Sequence, residues 1–140
     1  MNIRYQFDCT NIDWNEIPQI FIKSDMKHYQ PTVHKTAFEN SYSVVFAFDQ
    51  DKLIGFGRAI CDGAYEAALY DVVILPEYQG RGIGSTIVKH ILNSLPTCNV
   101  ILFSSIGKEG FYKKLGFEKM NTGMAKFANP QRMRQRGYIN

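Results

Sequence analysis

At 140 residues and 16.0 kDa, the chain is of single-domain size, so one compact domain over residues 1–140 is expected and large modular enzymes are excluded. With 45% hydrophobic and 21% charged residues, including 10 Phe, 8 Tyr and 1 Trp, the composition also excludes a disordered chain. The net charge of +3 is unevenly spread: residues 1–80 carry 6 basic and 11 acidic side chains and residues 81–140 carry 10 and 2, so the second half suits an anionic ligand and the first a cationic one, unless both are solvated faces.

Cys9, Cys61 and Cys98 are odd in number and follow no C-x-x-C spacing, so neither a disulfide framework nor a metal site is expected, and they read as reduced, partly buried thiols. The first eight residues lack the apolar core of a signal peptide, and no run of about 18 apolar residues occurs anywhere. A soluble, cytoplasmic protein is the expectation.

Ile3, Tyr5 and Phe7 alternate with polar residues, the period of a half-buried strand. Asp13 is placed to cap a helix carrying Trp14, Ile17, Ile20 and Phe21, and Pro31 to open a second helix reaching Phe38. These two form an expected helical lid, in which His28 and His34 read as solvated surface histidines unless they relay protons. Ser43 to Phe48 and Leu53 to Ile60 predict an antiparallel hairpin, with Asp62-Gly63 as the following turn. Leu69 to Leu75 is almost continuously apolar, as in a central strand covered on both faces, and Pro76 ends it. Ile83, Ile87, Val88, Ile91, Leu92 and Leu95 form the stripe of an amphipathic helix closed by Pro96. Asn99 to Ser104 predicts a strand, Lys108 to Leu115 a short helix stopped by Gly116, and Met124 to Phe127 a last strand. From Asn129 onward three arginines suggest an unstructured basic tail over 129–140. The order predicts an α+β fold: a mixed, mostly antiparallel sheet with helices on both faces.

The most informative segment is Pro76 to Gly84, because three glycines within five residues, Gly80, Gly82 and Gly84, leave backbone N–H groups unshielded at a helix start, where an anion is favoured. Arg81 adds a positive charge. A dinucleotide fingerprint from Gly80 needs glycine where Ser85 stands, and the only Gly-Lys pair, Gly107-Lys108, is followed by Glu109 rather than Ser or Thr. Both nucleotide signatures therefore fail, and a purely structural glycine turn is the other reading of the segment.

Leu75-Pro76-Glu77-Tyr78-Gln79-Gly80-Arg81-Gly82-Ile83-Gly84 closely resembles the acyl-CoA signature of the GNAT N-acetyltransferases, Q/R-x-x-G-x-G/A, through Gln79, Gly82 and Gly84. Gly110-Phe111-Tyr112-Lys113-Lys114-Leu115-Gly116-Phe117 resembles the family's second signature, in the family's order and separation. The resemblance runs from about Val44 to Met124. Arg58 to Gly63 and Tyr70 to Ile74 look most similar to small arylalkylamine or serotonin acetyltransferase-like members of plastids and bacteria.

The resemblance implies a splayed strand pair, with Val72, Val73 and Ile74 pairing with pantetheine, and Gln79, Gly80, Arg81, Gly82, Ile83, Gly84 and Ser85 around the pyrophosphate. It implies acetyl-CoA as cosubstrate, no metal, a small-molecule primary amine as acceptor, direct attack in a ternary complex, and allows a homodimer; no nucleic acid or membrane partner is expected. A non-catalytic acyl-CoA sensor or partner subunit is the alternative. An alkylamine is mostly protonated at neutral pH and needs a base, while a backbone N–H of Val73 or Ile74 would hold the oxyanion. Tyr112 stands at the family's acid position, its phenol pKa near 10 lying above that of a thiol; otherwise it is a core aromatic beside Phe111. Asp71, a carboxylate in an apolar strand, is the candidate base or ammonium partner, or else the structural partner of Arg58. Asp62, Glu66 and Tyr70 are candidate substrate contacts, with turn capping the other reading of the two acids. Ser105 occupies the position where many members carry Asn or Asp, seven residues before the tyrosine.

Overall fold

A computed structural model describes residues 2–140. They divide into two compact units, one ending at Leu102 and the other spanning Phe103–Asn140. The first unit holds one sheet of five strands, β1 (Ile3–Gln6), β2 (Ser43–Asp49), β3 (Lys52–Cys61), β4 (Glu66–Ile74) and β5 (Asn99–Ile101), in sequential order. Neighbours are antiparallel except β4 and β5. A parallel pair needs a crossover, and helix α3 (Ile83–Ser94) supplies it.

Helices α1 (Glu16–Lys23) and α2 (Pro31–Glu39) cover one face and α3 the other. Side chains alternate along a strand, and β3 shows the alternation directly. Phe56 meets Phe21 and Phe38, with ring centroids 5.2 and 5.4 Å away; at its neighbour Gly57, a Cβ would stand 2.9 Å from Ile87 and 3.1 Å from Ile91 of α3. On β2, Phe46 lies on the α1–α2 face, 5.4 Å from Phe38, while Ser43 accepts from Ser94 of α3 at 2.7 Å. The strands covered on both faces are therefore β2 and β3. The Leu69–Leu75 run, expected to be central, buries Leu69, Val73 and Leu75 but leaves Tyr70, Asp71, Val72 and Ile74 half-buried, because its ladder with β5 is only three residues long.

Pro31 opens α2 as its spacing predicts. Asp13 does not cap α1: its Oδ1 accepts from the N–H of Asn15 and its carbonyl from Glu16, building a turn that delays the helix to Glu16. Trp14 thus precedes the helix and packs on Phe38 and Phe46.

The second unit carries the short helices α4 (Glu109–Lys113) and α5 (Pro130–Gln135). The strand expected at Met124 to Phe127 does not form; Met124 is almost fully exposed, and no β-branched residue favours extension there. Nor is the C-terminal segment unstructured. Asn129 Oδ1 accepts from the N–H of Arg132 at 3.1 Å and Pro130 takes the first helical position, start signals that outweigh the arginines' mutual repulsion.

Candidate active site

Between the register pairs Arg58–Tyr70 and Phe56–Val73, one residue of β3, Gly57, faces two of β4, Asp71 and Val72. This is a β-bulge, and it bends β4 at Asp71, whose φ is +55°. Aspartate tolerates this left-handed conformation better than most residues. Asp71 Oδ2 accepts from Arg58 Nε at 2.7 Å, with both side chains largely enclosed. Arg58 also reaches Ser41 Oγ at 3.4 Å and lies 5.4 Å from the Tyr70 ring.

Beyond the bulge β4 pairs with β3 alone. Its ladder with β5 ends at Ala68–Ile101, so the segment from Leu69 to Ile74 has an edge not paired to any strand among the described residues. The N–H of Leu75 donates to Ile54 on β3 at 2.9 Å. By alternation, the backbone groups of Val73 point toward β3 and those of Ile74 toward the open edge. The Ile74 carbonyl accepts Nε2 of Gln79 at 3.0 Å and Oγ of Ser24 at 3.2 Å. Gln79 therefore ties the following turn to the strand, a role its signature position did not reveal.

That turn, a 3-10 segment over Pro76–Tyr78, is pinned by Tyr78 Oη donating to Asp49 at 2.6 Å and by Lys52 beside Glu77 at 3.6 Å. The hydrogen bond to Asp49 pushes the Tyr78 phenol up, and backbone contacts hold the Glu77 carboxyl down. Gly80 and Gly82 follow with φ of +77° and +81°, where a side chain would be strained. Gly82 is the residue before α3 and offers no capping side chain, so the first-turn N–H groups of Ile83, Gly84 and Ser85 are the donors a helix start leaves for an anion. A cavity of about 570 Å³ opens there, lined by Asn2, Ile3, Tyr5, Arg81, Gly82, Ile83 and Thr86. A diphosphate fits this chemistry, and an extended amide-bearing arm fits the open strand edge; together they match acetyl-CoA.

On the α1–α2 face, His34 is buried and stacked on Phe21 at 4.6 Å. Its Nε2 accepts from the N–H of Tyr29 at 2.9 Å, and burial holds its pKa below the usual 6.5 despite the charge of Asp71. It is not the solvated surface histidine expected; lying four residues before Phe38 on the same helical stripe was the available signal.

Asp62 and Glu66 sit at the other end of β4 from Ile74, a strand of nine residues rising roughly 3.3 Å each. Asp62 Oδ1 accepts three backbone N–H groups, from Ala64, Tyr65 and Glu66, and Glu66 accepts from Asn99 Nδ2 at 2.9 Å. Neither is brought to the bulge, whereas Tyr70 is. In the second unit, Tyr112 lies on α4 with its ring edge-to-face on Phe111 and Phe117, at 4.9 and 5.7 Å. Burial pushes its phenol up.

Residues 40–119 match the acetyltransferase (GNAT) domain family, and the chain belongs to it. Among curated relatives, a protein of Pyropia yezoensis called the uncharacterized N-acetyltransferase ycf52 is 34% identical over 119 residues, covering 83% of this chain and 64% of that protein. The chloroplastic GCN5-related N-acetyltransferase 2 of Arabidopsis thaliana is 31% identical, over 79% of this chain and 47% of that protein. The chain thus spans between about half and two thirds of these relatives' lengths. A solved protein of meticillin-resistant Staphylococcus aureus, called a probable acetyltransferase, superposes with a TM-score of 0.80 at 25% identity, covering 90% of this chain and 99% of its own. An Arabidopsis thaliana structure solved with a CoA-containing bisubstrate analogue shares the fold alone, with a TM-score of 0.69 at 18% identity and 86% coverage of each chain.

Proposed function

We propose that this GNAT acetyltransferase uses acetyl-CoA to acetylate the primary amine of a small molecule by direct attack in a ternary complex. The observation that carries this reading is the β4 edge left unpaired among the described residues from Leu69 to Ile74, bent by the bulge at Asp71 and running directly into the glycine turn before α3. The N–H groups of Ile83, Gly84 and Ser85 bind the pyrophosphate, with the α3 dipole and Arg81 adding positive potential. The pantetheine arm lies along Val72 to Ile74. Of these, the Ile74 N–H faces the open edge and receives the thioester oxygen as it gains charge.

The acceptor arrives as an ammonium and must lose a proton before its nitrogen can attack the acetyl carbon. Asp71 Oδ2 is held by Arg58, so Oδ1, beside Tyr70, is the oxygen that accepts the ammonium's hydrogen bond and passes its proton on to solvent. As the C–N bond forms and the C–S bond breaks, the sulfur leaves as a thiolate. Tyr112 is proposed as the partner of that sulfur from its place in the family's second motif alone, and its phenol is pushed above the usual value by burial. A thiol near 8.5 is the stronger acid, so a phenol in that role contributes a hydrogen bond and solvent completes the protonation.

The test is acetyl-CoA-dependent thiol release over a panel of arylalkylamines, polyamines, amino sugars and short peptides, with CoA binding measured in parallel. Turnover on a small amine is expected. CoA binding without turnover on any member would transfer the assignment to a non-catalytic acyl-CoA sensor.

A further inference from the structure

Outside the acetyl-transfer site, the sheet brings together two thiols that lie 37 residues apart in sequence. Cys61 ends β3 and Cys98 immediately precedes β5, and their sulfurs are 3.6 Å apart. A carboxylate oxygen of Asp62 completes a group of three ligand atoms, all within 4.8 Å of one another. We propose that Cys61, Cys98 and Asp62 form a binding site for a thiophilic divalent cation of the zinc class.

Three features carry the proposal. First, two thiolates at about 2.3 Å from a tetrahedral metal stand roughly 3.8 Å apart, close to the separation the fold already imposes. Second, the N–H of Gly63 donates to Cys61 Sγ at 3.2 Å, a bond that stabilises negative charge on a ligating sulfur and fixes its direction. Third, Asp62 is held in place before any cation arrives, its Oδ1 accepting from Ala64, Tyr65 and Glu66 at 2.7 to 3.2 Å.

The Cys98 side is anchored independently: the neighbouring Asn99 donates its N–H to the Tyr65 carbonyl at 2.9 Å and its side-chain amide to Glu66. A search for closely spaced ligands passes over this set because β3 and the start of β5 contribute one sulfur each. Binding releases one proton from each thiol to solvent. The three protein ligands leave one tetrahedral position for water, the stoichiometry of an open rather than a closed site.

The experiment is titration of the full, reduced chain with Cd²⁺ and then with Zn²⁺ in competition. It is read by thiolate-to-cadmium charge-transfer absorption and by the number of cysteines protected from a thiol-modifying reagent. One Cd²⁺ per chain, two of the three thiols protected, and displacement by Zn²⁺ are expected. Cys61→Ser and Cys98→Ser should each abolish the absorption; Asp62→Asn, which keeps the turn's acceptor, should weaken binding at least about tenfold; Cys9→Ser should change nothing. Failure of Cd²⁺ to protect two thiols in the unaltered chain would overturn the site without reference to any variant. So would undiminished binding in Asp62→Asn or in either serine variant.

Discussion

Arg58 Nε donates to Asp71 Oδ2 at 2.7 Å, joining β3 to β4 at the residue where β4 leaves its register. The bond spans the bulge, so it holds the bend and orients the carboxylate together. Asp71→Asn preserves size and tolerance of positive φ but removes the charge, leaving the enclosed Arg58 guanidinium without a carboxylate partner. A loss of about 1–3 kcal/mol in urea unfolding is expected, with kcat/KM for the amine falling at least about tenfold. Unchanged kinetics in a folded Asp71→Asn protein would confine Asp71 to a structural role.

Gly82 adopts φ of +81° with nothing within 4 Å of where a Cβ would stand. Gly82→Ala therefore meets conformational strain and no clash, of about 1–2 kcal/mol. CoA affinity measured by calorimetry should weaken several-fold while the sheet stays intact. Gly57→Ala does the opposite. Its Cβ would press on Ile87 and Ile91, destabilising the chain by about 1–3 kcal/mol through overpacking.

Tyr112→Phe removes the hydroxyl and keeps the ring contacts with Phe111 and Phe117. Turnover should fall by about 10²-fold with CoA affinity unchanged. Equal kcat values for the two proteins would remove Tyr112 from the chemistry.

His34 is held neutral by burial, below its ordinary value of 6.5. The unfolded chain takes up a proton near 6.5 that the folded chain resists, so the stability this group contributes is full above that pH and is lost as pH falls below it. Denaturant unfolding should show stability falling with a slope of at most about 1.4 kcal/mol per pH unit from this residue. His34→Gln, which retains an acceptor for the Tyr29 N–H, should flatten that slope; an unaltered slope would place the titration elsewhere.

Much of the fold was legible because its signals are local. Pro31 opens α2 and Pro76 closes β4 through the fixed geometry of proline, and the period from Ile83 to Ile91 specifies α3 whatever it packs on. The glycine turn could be located for the same reason, since positive φ at Gly80 and Gly82 is a property of single residues. What escaped depends on register. No spacing announces that Gly57 faces two residues of β4 or that Gln79 bonds the Ile74 carbonyl. Asp62 and Glu66 read either as substrate contacts or as turn caps, because sequence gives proximity to a turn but not the donors that occupy their oxygens, backbone N–H groups on Asp62 and the Asn99 side-chain amide on Glu66.

An unpaired strand edge invites a second chain to add to it, the route by which sheets polymerise. The kink at Asp71 interrupts that invitation. A stranger approaching β4 would need to match a left-handed residue and a doubled position with its own ladder, so any straight strand loses registry midway along the edge. The distortion thus acts as a gatekeeper against self-association. Straightening it, by deleting Asp71 or Val72, should produce a protein that aggregates through β4.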